Sequence, residues 1–295
     1  EASFSVGTQL PKAGFLRLTY QDRRITNFLE DFTTIDNGKK SIVIAGIPST
    51  VDITIFRNSN LPKHEYQALL LQGRYSLTPQ WSLEGNWTHE LKDDGNYESQ
   101  VNQSIGASGI GDQPEFFNPD RNFPTGHLSE FQADVARLWT IYNLSFGRGG
   151  DLSLSLLGQY NSPFHYSLAA GSVNLTSIQL SKDPGYAVPP TSQTLYFGSR
   201  GSQSFNAWTN VDFAARYSIP FLKSLGPWAK VDVRNLFNNT TLIAFNTTVR
   251  PDPNSPKDDL GLPTGFIKGA NFGKARTTSD FNIPREYRFS VGISF

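Results

Sequence analysis

The 295-residue sequence contains no cysteine and no methionine, and its 26 basic and 26 acidic side chains cancel. The absence of cysteine excludes a disulfide scaffold, a zinc ribbon, an iron–sulfur protein and a cysteine nucleophile. Balanced charge gives no basic excess for nucleic acid, so no nucleic-acid partner is expected. The chain also lacks a long apolar run, which excludes a transmembrane helix and a retained signal peptide.

The missing methionine bears on where the chain begins. A primary translation product starts with methionine, whereas this sequence starts at Glu1. We therefore expect a processed product, a fragment of a longer protein, or a chain whose beginning is missing.

The residues that are abundant favour an all-β fold. Aromatic residues make up 13% of the chain and are accompanied by 25 glycines and 18 prolines, while apolar residues reach only 38%. The mean hydropathy is −0.37. Two all-β interpretations fit this combination: a soluble sandwich or propeller, and a transmembrane antiparallel β-barrel, whose strands are apolar on one face only.

Alternation of apolar and polar residues predicts the strands, because successive side chains of a strand point to opposite faces. The clearest strand ends the chain, where the apolar positions are Tyr287, Phe289, Val291, Ile293 and Phe295. Helix is expected only in short loop segments. The nine predicted strands span residues 3–10, 14–28, 64–76, 81–91, 131–146, 151–168, 207–219, 227–237 and 285–295.

Two segments leave the strand assignment open. Arg137 shares its parity with Trp139 and Ile141, and a β-bulge within residues 131–146 would restore the alternation. The segment from Val51 to Phe56 also alternates weakly, which makes it a candidate for a tenth strand.

The connections between the predicted strands alternate in length. Outer-membrane barrels have short periplasmic turns and long extracellular loops, whereas a soluble sandwich has no reason to sort its loops in this way. The alternation therefore favours the membrane barrel. The short links lie near residues 11–14, 77–80, 147–150 and 220–226, and the long ones near 29–63, 92–130, 169–206 and 238–284.

The placement of aromatic residues supports the same interpretation. Tyr75 and Trp81 flank one short link, and Tyr217 and Trp228 flank another. Amphipathic rings favour the membrane–water boundary, where barrels carry girdles of them. The alternative is aromatic packing in the core of a soluble β protein.

At its carboxyl end, the sequence resembles the TonB-dependent receptors, which are outer-membrane barrels that import scarce nutrients. Val233-Arg234-Asn235-Leu236-Phe237-Asn238 is similar to the family signature V-x-N-L-F-N/D. Asn271-Phe272-Gly273-Lys274-Ala275, followed by Pro284-Arg285-Glu286-Tyr287, is similar to the lead-in to the last strand in the Oar-like branch. The terminal alternation ending in Phe295 resembles the signal for the barrel-assembly machinery. The resemblance is concentrated in residues 227–295.

The resemblance implies a 22-stranded barrel, closed by an amino-terminal plug, in the bacterial outer membrane. The carboxyl terminus would face the periplasm, and the long loops would be extracellular. Barrels of this kind close with an even number of strands, and open edges are costly in lipid. We therefore expect residues 1–295 to be the carboxyl-terminal portion of such a barrel.

The expected partners follow from the same resemblance. The first is the missing plug and barrel half, which would come from the same gene or from a separate chain. The TonB complex would act through that part. The others are the barrel-assembly machinery and outer-membrane lipid. The expected function is TonB-energised uptake of a bulky ligand of the siderophore, oligosaccharide or peptide class. Two alternatives remain: a structural protein that displays its long loops, and a plug-free passive porin.

The sequence offers no catalytic or cofactor-binding constellation, so neither an enzyme nor a cofactor is expected. The four histidines are scattered without metal-ligand spacing. Acidic residues in two loops are weak calcium candidates, because hard cations bind carboxylate oxygens. The calcium candidates are Asp93, Asp94, Asp258 and Asp259.

Charged residues on the polar parity of the strands form a further candidate set. In a plugged barrel, such side chains would either pair with the plug or line the route of the substrate. The predicted lumen-facing or plug-facing residues are Arg17, Arg74, Glu84, Glu90, Arg216, Asp232, Arg234 and Arg288.

Overall fold

The computed structural model describes residues 1–98, 106, 108–181, 185–219 and 226–294. None of the helices in these ranges is long and apolar enough to cross a membrane. The described residues contain nine long strands: β1 (Ala2–Leu10), β2 (Gly14–Ile25), β3 (His64–Thr78), β4 (Trp81–Gly95), β5 (Asp134–Ser145), β6 (Asp151–Asn161), β7 (Trp208–Ser218), β8 (Gly226–Arg234) and β9 (Glu286–Ser294).

The long strands form one antiparallel meander in chain order, β1 to β9, and the two-residue strand Gly126–His127 adds to β4. The all-β antiparallel prediction is confirmed, and each predicted strand coincides with one of the nine. The sixth strand ends at Asn161 rather than at residue 168. Pro163 follows closely and has no N–H to donate to a ladder.

The strand register gives the sheet one apolar face and one polar face. Residues that face each other across a ladder lie on the same side of the sheet. One continuous row on the apolar face runs through Trp81, Tyr142, Leu154, Ala215, Val231 and Phe289. One row on the polar face runs through Gly7, Arg17, Gln72, Asn86, Arg137, Gln159 and Asn210.

Two predictions about these faces are wrong. β5 pairs with both neighbours without a bulge, so Arg137, Trp139 and Ile141 all lie on the polar face. Trp228 also lies on the polar face, opposite Gly292, and the guanidinium of Arg216 lies 4.7 Å from its ring centre. Residue type misled the assignment in both cases, because the polar face of the sheet carries tryptophan and isoleucine among its charged residues.

Connections of different length occupy the two edges of the sheet. Short turns join β1 to β2, β3 to β4 and β5 to β6, and residues 219–225 separate the end of β7 from the start of β8 at the same edge. The opposite edge carries four long loops, named here L1 (26–63), L2 (96–133), L3 (162–207) and L4 (235–285).

The segment from Val51 to Phe56 belongs to L1 and is not a tenth strand of the main sheet. The sheet formed by β1 to β9 is called the wall below. Its residues fall in two strands, Ile47–Asp52 and Thr54–Ser59, which pair with Lys39–Ile44 and Phe28–Thr33. The turn at the tip holds Ala45 and Gly46 at φ 50° and 82°. Positive φ at both central residues gives the twist that closes a tight hairpin. L1 is thus a long two-stranded ribbon.

In the described residues of L2, L3 and L4, the elements are all short. L2 has the 3-10 helix Pro114–Phe116 and the helix Pro119–Asn122. L3 has the helix Ser177–Ser181, and L4 has the 3-10 helix Thr278–Asp280; two further 3-10 turns are Ile35–Asn37 and Gly147–Gly149. The paired short strands are His165–Tyr166 with Gln203–Ser204, Ala169–Asn174 with Ser192–Tyr196, and Val249–Pro251 with Phe266–Lys268.

The tightly packed part of the molecule lies in the loops and not on the sheet. Phe116, Leu175 and Tyr186 form a buried cluster between L2 and L3. Among the described residues, the largest fully buried side chains all belong to loops: Phe116, Leu195, Leu262, Gln179, Asn235 and Pro62. The loops therefore form a packed layer over one edge of the wall.

Candidate functional site

The eight predicted charged residues lie on the polar face of the sheet. Four pairs of charged residues lie at facing positions of neighbouring strands: Arg216 opposite Lys230, Asp232 opposite Arg288, Arg234 opposite Glu286, and Arg74 opposite Glu84. Arg17 lies opposite Gln72 on the same face. Glu90 is at the loop end of β4, where its carboxylate accepts a bond of 2.8 Å from the backbone N–H of Gln132. That this face lines a lumen stays a prediction.

Ion pairs neutralise only part of the charge on this face. Arg74 lies 3.3 Å from Glu84, and Arg234 lies 3.4 Å from Glu286. Lys230 lies 2.6 Å from Asp232, the carboxylate that also faces Arg288 across the ladder. In the described part of the chain, Arg17, Arg137 and Arg288 form no ion pair within 4.0 Å. The polar face therefore retains cationic groups that can pair with an acidic partner.

A cavity of about 680 Å³ opens along this face between β5 and β9. Its charged lining includes Arg137, Asp212, Lys230, Asp232 and Arg288. The carboxylate of Asp212 accepts bonds of 2.8 Å from the side chain of Asn210 and from the backbone N–H of Asn235. Asp212 thereby connects the wall to the first residue of L4.

A second cavity, named here the rim cavity, has a volume of about 550 Å³ and lies where the wall meets L4. Both cavities include Asp212 and Arg234 in their linings, so they are neighbours along the polar face. The rim cavity is lined by Gln159, Trp208, Asn210, Asp212, Arg234, Ile243, Ser279, Phe281, Asn282 and Ile283.

The V-R-N-L-F-N segment shapes the edge of this cavity. Asn235 and Asn238 both have positive φ, 48° and 53°, a conformation that asparagine tolerates better than most residues. The Asn235 side chain donates to the carbonyl oxygens of Asn239 and Ile283 and accepts from the N–H of Asn239. These contacts terminate β8 and hold both ends of L4 together.

L4 is fixed again next to the cavity by a capping box. The Thr277 side chain accepts a hydrogen bond from the backbone N–H of Asp280, and the Asp280 side chain accepts one from the backbone N–H of Thr277. The Arg276 guanidinium donates to the Asp280 carboxylate, which lowers the pKa of Asp280 to about 2. The Asp280 carbonyl accepts bonds from the N–H groups of Ile243 and Ala244, which places Ile243 in the cavity wall.

The described residues of the predicted assembly signal lie on the apolar face of β9. Tyr287, Phe289, Val291 and Ile293 are all exposed, Phe289 to 77% and Val291 to 84%. Phe295 lies outside the described residues.

The calcium candidates do not gather into one site. Asp93 and Asp94 lie 2.8 Å and 2.7 Å from ring nitrogens of His64 and His127. Asp258 accepts from Arg121 at 2.6 Å and from the backbone of L4, and its neighbour Asp259 is exposed. Within the ranges that the structure describes, no group of three or more His, Asp or Glu side chains could hold a metal ion.

The histidines are closer together than their sequence positions suggested. The His127 ring stacks on Phe131 at 4.0 Å between centres and lies 5.1 Å from the His165 ring. Burial lowers the pKa of His165, which favours its neutral form. His89 lies 2.9 Å from Asp134. The contacts of His127 with His165 and of His89 with Asp134 join segments far apart in the chain, so spacing in the sequence gave no signal for them.

Two arginines, the half-buried Arg121 and the buried Arg200, hold the loop layer together, and the sequence analysis did not single them out. Arg121 of L2 donates to Asp258 and Pro263 of L4 and to the carbonyl oxygen of Tyr196 in L3. Arg200 of L3 donates to Glu98, Asn96 and Pro124 of L2. The loops thus form a connected platform above the charged face.

A comparison with protein-family models finds no match for this chain, and a comparison with curated proteins finds none either.

Proposed function

We propose that this chain forms part of the wall of an outer-membrane β-barrel. It would be the carboxyl-terminal part of a TonB-dependent receptor that takes up a bulky ligand. The apolar face would contact lipid, the charged face would contact the plug and the passing ligand, and the loop layer would be extracellular. The ligand would move without covalent chemistry.

The observation that carries the proposal is the exposed apolar face. Large apolar side chains at both ends of the meander face solvent, among them Phe4 at 71% and Val291 at 84%. Soluble proteins rarely leave so extensive an apolar surface uncovered. On β6, the outward residues from Leu152 to Tyr160 cover about 26 Å of strand, or about 20 Å of height at a typical barrel tilt. That height covers most of the apolar band of about 25 Å that outer-membrane barrels present to lipid.

Aromatic residues at both limits of this face support the membrane assignment. Tyr75, Trp81, Tyr142 and Tyr217 lie near the turn edge, and the Trp81 and Tyr142 rings are 5.9 Å apart. Tyr20, Trp87, Tyr160 and Tyr287 lie toward the loop edge. Two aromatic girdles that flank an aliphatic band are typical of outer-membrane barrels.

The open edges of the sheet support a larger barrel. Within the described residues, β1 pairs only with β2, and β9 only with β8. In a meander of nine strands, β1 and β9 run in the same direction, so they cannot pair antiparallel with each other. Unpaired backbone groups cost several kcal/mol each in lipid. A companion barrel segment with an odd number of strands would close the wall.

Leu154→Arg tests the lipid-facing assignment, with Ser155→Arg as its matched control on the polar face. Leu154→Arg should lower the free energy of unfolding in bilayers by about 2–4 kcal/mol if Leu154 lies near the midplane. Ser155→Arg should change it little, since its side chain would enter the cavity. Equal effects of the two variants in urea titrations would refute the assignment of faces.

Uptake itself is tested in cells that make the receptor to which this wall belongs. Accumulation of its ligand should stop when a protonophore collapses the inner-membrane potential, because TonB transmits that energy. Accumulation that continues unchanged would contradict energised uptake and indicate a passive porin. No accumulation at all, with the loops binding a stoichiometric partner, would indicate a display protein.

A further inference from the structure

We propose that the rim cavity binds a neutral saccharide ring, an inference that rests on the proposed function and specifies its ligand class. The volume of about 550 Å³ lies within the range of small-molecule sites. The cavity lies between the polar face of the wall and L4, where a ligand that has passed the loops would arrive.

The charges around the cavity favour a ligand without net charge. Asp212 and Arg234 are the charged side chains in its lining, and they have opposite signs. Asp212 is already engaged by Asn210 and Asn235, and Arg234 by Glu286. A cationic ligand would meet Arg234, and an anionic ligand would meet Asp212.

The polar groups of the cavity that can still form hydrogen bonds match the hydroxyl groups of a ligand. The side-chain oxygen of Asn210 is buried and has no hydrogen-bond partner in the described part of the chain. A buried acceptor without a partner is costly, and a ligand that donates a hydrogen bond would remove this cost. Arg234 is half exposed, so it retains guanidinium N–H groups that can donate to a ligand. Hydroxyl groups both donate and accept, so a polyhydroxylated ligand satisfies both kinds of group.

The remaining walls are apolar and partly aromatic. Trp208 projects from β7, and Phe281, Ile243 and Ile283 come from L4. Phe281 and Ile283 are exposed to 37% and 62%. Sugar rings have a face of C–H groups that packs on an aromatic or aliphatic surface, while their hydroxyl groups bond in the ring plane. Neutral saccharides combine both requirements in one molecule.

The test uses the full chain in lauryldimethylamine oxide, a detergent without a sugar headgroup. Maltose, cellobiose and N,N′-diacetylchitobiose are the neutral probes, with glucosamine and glucose 6-phosphate as charged counterparts. We expect at least one neutral disaccharide to bind in calorimetry or saturation-transfer NMR, and the charged sugars to bind more weakly. Binding of none of the neutral probes, or tighter binding of a charged one, would overturn the proposal.

Two tryptophans on the polar face provide a matched pair for locating the site. Trp208→Ala removes a wall of the rim cavity and should weaken binding about tenfold or more. Trp228→Ala removes a tryptophan near the turn edge and should leave binding unchanged within about twofold. If Trp208→Ala does not fold, Phe281→Ala, which removes an L4 side chain from the same cavity, should also weaken sugar binding. Equal losses for both tryptophan variants would place the sugar elsewhere and refute the site.

Failure of this proposal is separable from failure of the proposed function. The stability difference between Leu154→Arg and Ser155→Arg reports on the lipid face without any ligand. A protein that shows that difference but binds no neutral sugar would retain the barrel assignment and lose the saccharide site.

Discussion

At the residue scale, Asn235 shows what one side chain contributes to the junction between β8 and L4. It is fully buried, it adopts positive φ, and its amide group serves three backbone groups. Glycine would accept the backbone conformation but lacks the amide, and alanine lacks both properties. The asparagine of the V-R-N-L-F-N segment thus has a structural role at the end of β8 in this fold.

Asn235→Gly and Asn235→Ala should separate the two contributions. Asn235→Gly should lower the free energy of unfolding by about 1–3 kcal/mol, because buried backbone groups lose their partners. Asn235→Ala should cost a further ~1–2 kcal/mol from the left-handed conformation. Urea unfolding in detergent measures both. Asn238→Gly is the control, since Asn238 has positive φ but its side chain accepts, among the described residues, a single backbone hydrogen bond, from Arg285. A cost as large as that of Asn235→Gly would contradict this account.

At the element scale, the alternation of residues was sufficient to predict the strands but not every face. Leu152, Leu154 and Leu156 alternate with serines, so their strand is clearly defined by its apolar face. The polar face is less regular, because Trp139, Ile141 and Trp228 lie on it among charged residues. The ladder register is what distinguishes a tryptophan on the apolar face from one on the polar face.

Lipid quenching distinguishes the two kinds of tryptophan directly. In single-tryptophan variants, lipids with brominated acyl chains should quench Trp81 and Trp87, which lie on the apolar face. Trp139, Trp208 and Trp228 should keep most of their fluorescence, because the wall separates them from the acyl chains. Strong quenching of all five would contradict the two-faced wall.

At the scale of the whole molecule, the loop layer is the part that the sequence did not predict. Its contacts join residues far apart in the chain: Arg121 bonds to Asp258, and Arg200 bonds to Glu98. Local periodicity reports on neighbouring residues, so it predicts a strand but not a contact between two loops. For the same reason the rim cavity, which joins β7 to L4, could not be predicted, although its polar wall residues share a parity.

Arg121→Met should loosen several loops at once. It keeps much of the side-chain bulk but removes the donors to L3 and L4, so amide exchange at Tyr196 and Leu262 should accelerate about tenfold or more. Arg148→Met, in the exposed turn between β5 and β6, is the control and should leave these amides unchanged. Acceleration confined to L2 in hydrogen-exchange mass spectrometry would show that the loops are independent.

The shared arginine contacts restrict how the outer surface of such a protein can diversify. The guanidinium of Arg121 in L2 donates hydrogen bonds to both L3 and L4. A loop transplanted alone from a related protein would therefore lack its hydrogen-bond partners. New specificity would then be inherited as matched sets of loops, and engineering by loop grafting would succeed only when L2, L3 and L4 are exchanged together.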